Sequence, residues 1–377
     1  MNPPVLADHL LRGQRTRSLA GDQCALCGLQ MYAQIFVGLA LYVYDHVSAP
    51  GYLSLLLTAP YLLTVLLWAR RLARFAPADG GLMDLATGGT RRALSLLLFL
   101  SAMLDGALLF HGLCAVALDV MTDLSPWAVG LAVAGFAALS LWQRGDHALS
   151  RLAHALQWLI LALLLYCAGA ALPHGKSAHF FPILGYGAER IGAGALWLCG
   201  AVSGCAWPLL YPEKPCGALA LTERRSTLLR PALLALLAGV GTMLCSVWLM
   251  PVYALARPYT LGWRMLLLTH MTPSVAAWSL EFAGVTLLLM LTLCHSLCRA
   301  GEMLAMAGGR KEAPAFLPAL LIAPLLPLRG AGEWAAAEAL IRFAPWRAVI
   351  LIAVLGCLTL ASRRNAKKAG PGKGAAA

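Results

Sequence analysis

The stretch Trp197–Pro208, WLCGAVSGCAWP, lies in the middle of an apolar run long enough to cross a membrane. It carries Gly200, Ser203, Gly204 and Pro208, all poor helix formers. In hydrocarbon every backbone N–H and C=O must be satisfied within the protein, and each orphaned group costs several kcal/mol. Two readings stand. Gly200 and Gly204, four residues apart, can form a small-xxx-small face that lets two unbroken helices approach closely. Alternatively the helix unwinds around Cys199–Gly204, and its freed backbone, with Ser203, lines a pocket for a small solute.

The surroundings decide the class. Of 377 residues, 60% are apolar and only 12% charged, and the mean hydropathy is +0.73. Soluble domains are roughly half apolar and a quarter charged. A crossing takes about 20 apolar residues, at a rise of about 1.5 Å each through about 30 Å of hydrocarbon. Runs of that kind predict ten spans, at 24–44, 52–72, 92–118, 126–142, 152–172, 188–211, 229–250, 274–298, 314–328 and 345–361. The expected organisation is a cytoplasmic N-terminal arm over 1–23, a transmembrane permease-like domain over 24–361, and a basic tail over 362–377 that is disordered by composition.

Charge orients the chain. With both ends inside, only Lys176, Arg190, Arg257, Arg264, Arg329, Arg342 and Arg347 of the 29 basic residues fall on the outer side. The net charge of +12 is then mostly topological, with the tail resting on anionic lipid headgroups or simply solvated. No basic patch on a soluble face points to nucleic acid.

Ten spans divide into five plus five, and an odd half inserts its second copy upside down. Secondary transporters of this build bind solute where the first helix of each half is interrupted. Spans one and six are those helices here. Span one offers Gly28, Gln30, Gln34 and Gly38. Two acids also sit in apolar runs: Asp105 in span three, with His111 about two turns on, and Glu281 in span eight. Each is costly in lipid and is expected to face the bundle interior, either to hold a solute amine or carry a proton, or to make a structural hydrogen bond. The candidate ligand-binding set is Gln34, Gly38, Asp105, Cys199, Gly200, Ser203, Gly204 and Glu281.

Enzymatic chemistry is not expected. The chain has no G-x-S-x-G, no H-E-x-x-H and no phosphate loop. Cys24 and Cys27 form a lone C-x-x-C without a second pair, so no metal and no cofactor are predicted. The segment YTLGWRMLLLTHM, between Pro258 and Pro273, reads as an interfacial helix on the outer side.

Short landmarks in order carry a family resemblance. LAGDQ at Leu19–Gln23 looks like an opening Ile-Ser-x-x-Gln, and SPW at Ser125–Trp127 falls where a Thr-Pro precedes span four. RGDHALSRLAHAL supplies Gly145 and Arg151 of a Gly-x-x-x-x-x-Arg segment. FFPILGYG at Phe180–Gly187, YPEKP at Tyr211–Pro215 and RPYTLGWRMLLL follow. Together they resemble the endospore-germination permeases, the B-type membrane subunits of nutrient germinant receptors and distant relatives of the amino acid–polyamine–organocation transporters. The chain departs from that pattern at Ala33, where the family has glycine, and at His154, where it has glutamate. The resemblance implies a LeuT-like bundle in the inner spore membrane. It would bind a small nutrient, often an amino acid, and work with an A-type subunit and a C-type lipoprotein. An amino acid transporter, proton-coupled through Asp105 or a histidine, is the alternative.

Overall fold

In the computed structural model the described residues are 3–77, 80–120, 146–181, 185–212, 225–249, 275–309 and 338–368. Among them every regular element is helical. Seven helical stretches are long and apolar enough to cross a membrane: Gly21–His46, Gly51–Ala73, Gly88–Val116, Ala188–Leu210, Leu228–Leu249, Phe282–Gly308 and Glu338–Asn365. Predicted span five falls on an eighth helix, Asp146–Ala171. Predicted spans four and nine, and the interfacial segment after Pro258, lie outside the described residues. The chain is a multi-pass, all-helical membrane protein.

The elements in order are α1 (Pro3–Gly38), α2 (Gly51–Leu56), α3 (Ala59–Ala73), α4 (Gly88–Val120), α5 (Asp146–Ala171), α6 (Ala188–Val202), α7 (Trp207–Leu210), α8 (Arg225–Leu249), α9 (Val275–Gly308) and α10 (Trp346–Lys368). The N-terminal arm is thus helical from Pro3. The tail read as disordered is helical through Lys368, and the remainder lies outside the described residues.

α1 is the hub. Its apolar window is buried on all sides, against 39% for the window spanning α2 and α3, so α1 is central and α3 peripheral. It is packed by α8, α5, α6, α9 and α4, while α4 and α9 form the most extensive pair in the bundle. Sparse polar bonds tie the hub to its neighbours: Tyr32 Oη with Thr242 Oγ1 of α8 at 3.0 Å, and Gln30 Nε2 to Ser296 Oγ of α9 at 3.2 Å. Gly28 allows a proline on α8 to approach, since a Cβ there would meet Pro231 Cβ at 2.8 Å. The outward faces carry Leu63, Leu67, Leu96, Leu100, Leu237 and Ile352, all exposed, as a lipid-facing surface requires.

Besides the turn at residues 57–58 between α2 and α3, three helical stretches are irregular. α1 passes into a π turn over Leu39–Val43 before ending at His46. α6 tightens into a 3-10 turn at Ser203–Ala206 ahead of Pro208, which has no N–H to continue an α-helix, and resumes as α7. The third break lies before α10. Residues 338–343 are helical, 344–345 form a turn, and α10 restarts at Trp346. Pro345 cannot donate to Ile341 O, so that carbonyl is orphaned, and the Trp197 indole of α6 donates to it at 2.9 Å.

Candidate functional site

The breaks in α6 and before α10 face each other, and a buried charge lies between them. Arg347, on the first turn of α10, is 1% exposed, and Asp105 of α4 is 4% exposed. Arg347 Nη1 donates to Asp105 Oδ1 at 2.5 Å and to Gln34 Oε1 of α1 at 2.7 Å. Arg347 Nε donates to Ala344 O at 3.0 Å, in the turn ahead of Pro345, and the Arg347 backbone N–H donates to the same oxygen at 3.3 Å. Gln34 is oriented by its other end, where Nε2 donates to Asp105 O at 3.0 Å. Flipping that amide would set a donor against the guanidinium, so the network fixes it. The Trp207 indole, at the start of α7, also bonds Asp105. Arg347 Nη2 has no hydrogen-bond partner among the described residues.

Arg347 lies inside a helical stretch long and apolar enough to cross a membrane, and its side chain is buried within the bundle. A lone charge there is costly, and breaking a buried ion pair costs about 3–5 kcal/mol. The Asp105–Arg347 pair therefore clamps α4, α1 and the start of α10 together. Arg347 was expected at the outer edge of a span beginning at 345. The chain is already helical at residues 338–343, ahead of that span, and Arg347 is buried in the bundle.

The predicted residues divide into three groups. Gln34, Asp105 and Gly200 converge on Arg347. A Cβ built on Gly200 would collide with the carbonyl of Ala344, and Arg347 Nε would lie 3.3 Å from it. Gly200 therefore serves close approach between α6 and α10. Its backbone is α-helical, as is that of Cys199, so the departure from α geometry starts at Ser203 rather than Cys199. Cys199, Ser203 and Gly204 form a second group around the 3-10 turn. Ser203 Oγ donates to Cys199 O at 2.7 Å, and the Tyr61 hydroxyl of α3 donates to Ser203 Oγ at 2.7 Å. Cys27 Sγ donates to Gly204 O at 3.2 Å, which gives one cysteine of the C-x-x-C pair a hydrogen-bonding role. Gly204 has room, its nearest side-chain neighbours being Gln30, Met31 and Trp207 at 3.9 Å.

Gly38 and Glu281 stand apart. Gly38 is in ordinary α conformation, with φ −64° and ψ −37°, and the π turn begins at the next residue. A Cβ there would meet the Trp197 ring at 2.5 Å, so Gly38 is a packing glycine between α1 and α6. Glu281 is the seventh residue of α9, and its side chain is outside the described residues. His111 is fully buried, with no hydrogen-bond partner for either ring nitrogen among the described residues. Arg347 and Trp207 are the members that sequence reasoning missed. The available signal was Pro345, whose orphaned carbonyls call for nearby donors.

No family model matches the chain, and no curated protein does. Solved structures do. The manganese transporter of Eremococcus coleocola, bound to an aromatic bis-isothiourea compound, is 16% identical over 91% of this chain and 78% of its own, with a TM-score of 0.59. Two single-residue variants of the same transporter are also 16% identical over 95% of this chain and 88% of theirs, with TM-scores of 0.53 and 0.51. At that identity the likeness is one of fold, and the fold is that of a membrane transporter.

Proposed function

We propose that the chain is a permease-fold protein that binds a small zwitterionic solute, an amino acid, at the Asp105–Arg347 centre, and that it serves as the membrane-embedded sensing subunit of a germinant receptor. The carrying observation is the buried guanidinium whose Nη2 has no hydrogen-bond partner among the described residues, set beside a buried carboxylate. A planar guanidinium recognises a carboxylate through its N–H groups, and the neighbouring anion suits an ammonium. On this reading the helices form a ten-span, five-plus-five inverted repeat with both ends cytoplasmic. The irregular turns of α1 and α6 are then symmetry-related, and A-type and C-type subunits are the partners, as the sequence landmarks imply.

Sensing needs only differential affinity. A ligand that engages Nη2 in one arrangement of α6 and α10 and not in another shifts the bundle toward the first. A second reading is favoured by the transporter neighbours, namely that the solute is carried across. Manganese itself is a poor candidate cargo for this centre, because Asp105 and Gln34 already face a fixed positive charge. Binding and uptake of a labelled amino-acid panel, measured on the same purified and reconstituted protein, test both. Saturable binding without uptake fits the sensor, and accumulation fits the transporter. Absence of binding by every amino acid, or equal binding of amines lacking a carboxylate, overturns the zwitterion reading.

A further inference from the structure

Three oxygens of different kinds converge on one guanidinium: the Asp105 carboxylate, the Gln34 side-chain amide and the Ala344 backbone carbonyl. Carboxylate, amide and peptide oxygens are the ligands that hard metal cations take. We propose that Arg347 is a tethered cation, occupying the place that a diffusible hard cation would otherwise take among these oxygens, so that the centre needs no coupling ion.

Local structure supports the substitution. Ala344 O lies at the turn ahead of Pro345, where it also accepts the Arg347 backbone N–H at 3.3 Å, and the Cβ-less Gly200 lets α6 close over it. Gln34 is locked with its oxygen toward Arg347 by its bond to Asp105 O. The positive charge is covalently attached to α10, so it cannot leave with an ion gradient. Opposite charges paired within the bundle need no further ion to balance them. This inference concerns what stabilises the empty centre, so it stands or falls separately from the identity of the solute.

The test is thermal stability of purified protein in detergent, with choline chloride exchanged for sodium, calcium or manganese chloride at constant ionic strength. Wild type should be indifferent to the exchange. Arg347→Ala uncovers the three oxygens, and its melting temperature should rise by roughly 4 °C or more with at least one of these cations. Arg347→Ala combined with Asp105→Asn removes the anionic ligand and should be indifferent again. Three results would overturn the proposal. One is wild type stabilised by any of these cations. Another is Arg347→Ala folded but unresponsive to all of them. The last is Arg347→Ala unrecoverable in every cation while the double variant is recovered, since no diffusible ion would then replace the guanidinium. Solute binding does not enter the readout, so a wrong ligand assignment leaves the result interpretable.

Discussion

Gly200→Ala and Gly204→Ala, two identical changes one helical turn apart, should behave in opposite ways. At Gly200 the new methyl runs into the Ala344 carbonyl, a backbone atom that cannot rotate aside, with Arg347 Nε 3.3 Å away. Relief requires α6 and the start of α10 to separate, which stretches the Arg347–Asp105 and Arg347–Gln34 bonds. Overpacking of this type costs about 1–3 kcal/mol. At roughly 2–4 °C per kcal/mol, a melting temperature lower by about 2–12 °C is expected. At Gly204 the nearest side-chain atoms are 3.9 Å off, so a methyl fits. Reduced freedom of the unfolded chain should then make that variant neutral or more stable by about 0.4–1 kcal/mol. The assay is thermal unfolding of both purified variants beside wild type in one detergent. Equal stability of the two, or a larger loss at Gly204, would refute the close approach of α6 and α10 at Gly200.

Asp105→Asn strips the counter-charge from a buried guanidinium and should cost about 3–5 kcal/mol. Adding Arg347→Met should recover most of that loss, and a single variant as stable as wild type would mean the charge is balanced elsewhere. Tyr61→Phe removes the hydroxyl that holds Ser203 and should cost about 0.5–1.5 kcal/mol by thermal unfolding. Lys176 and Arg74 are both exposed. Each changed to Cys should label with a membrane-impermeant maleimide from opposite sides, and labelling of both from the same side would overturn the ten-span topology and the inverted repeat with it.

The helices were legible wherever an apolar run is flanked by charge, because span length and hydropathy depend on the bilayer rather than on packing. Gln34 and Asp105 stood out for the same reason, as strongly polar residues in runs that are mostly apolar. Arg347 did not. Its helix begins in the mixed sequence EALIRFAPW, which reads as a loop, and a cation near an apparent span end looks like an interfacial anchor. The glycines were ambiguous in principle. A residue without a Cβ serves equally to free a backbone or to let a neighbour in, and only the position of the Ala344 carbonyl separates the two at Gly200. Proline was the better pointer. Pro345 removes a donor outright, so the place where the chain must find another was fixed by chemistry before any packing was known.

The stacked rings beside that break have a mechanical meaning. His46 lies face to face on Tyr42, centroids 4.3 Å apart and 4° from parallel, and Tyr42 lies on Trp197 at 5.2 Å and 6°. Trp197 in turn holds the Ile341 carbonyl below Pro345. Flat, incompressible rings in register form a strut between the C-terminal end of the central helix and the elbow that carries Arg347. A tilt of that helix end is therefore passed on as a push against the elbow, and the indole at the junction becomes a natural fluorescent strain gauge for it.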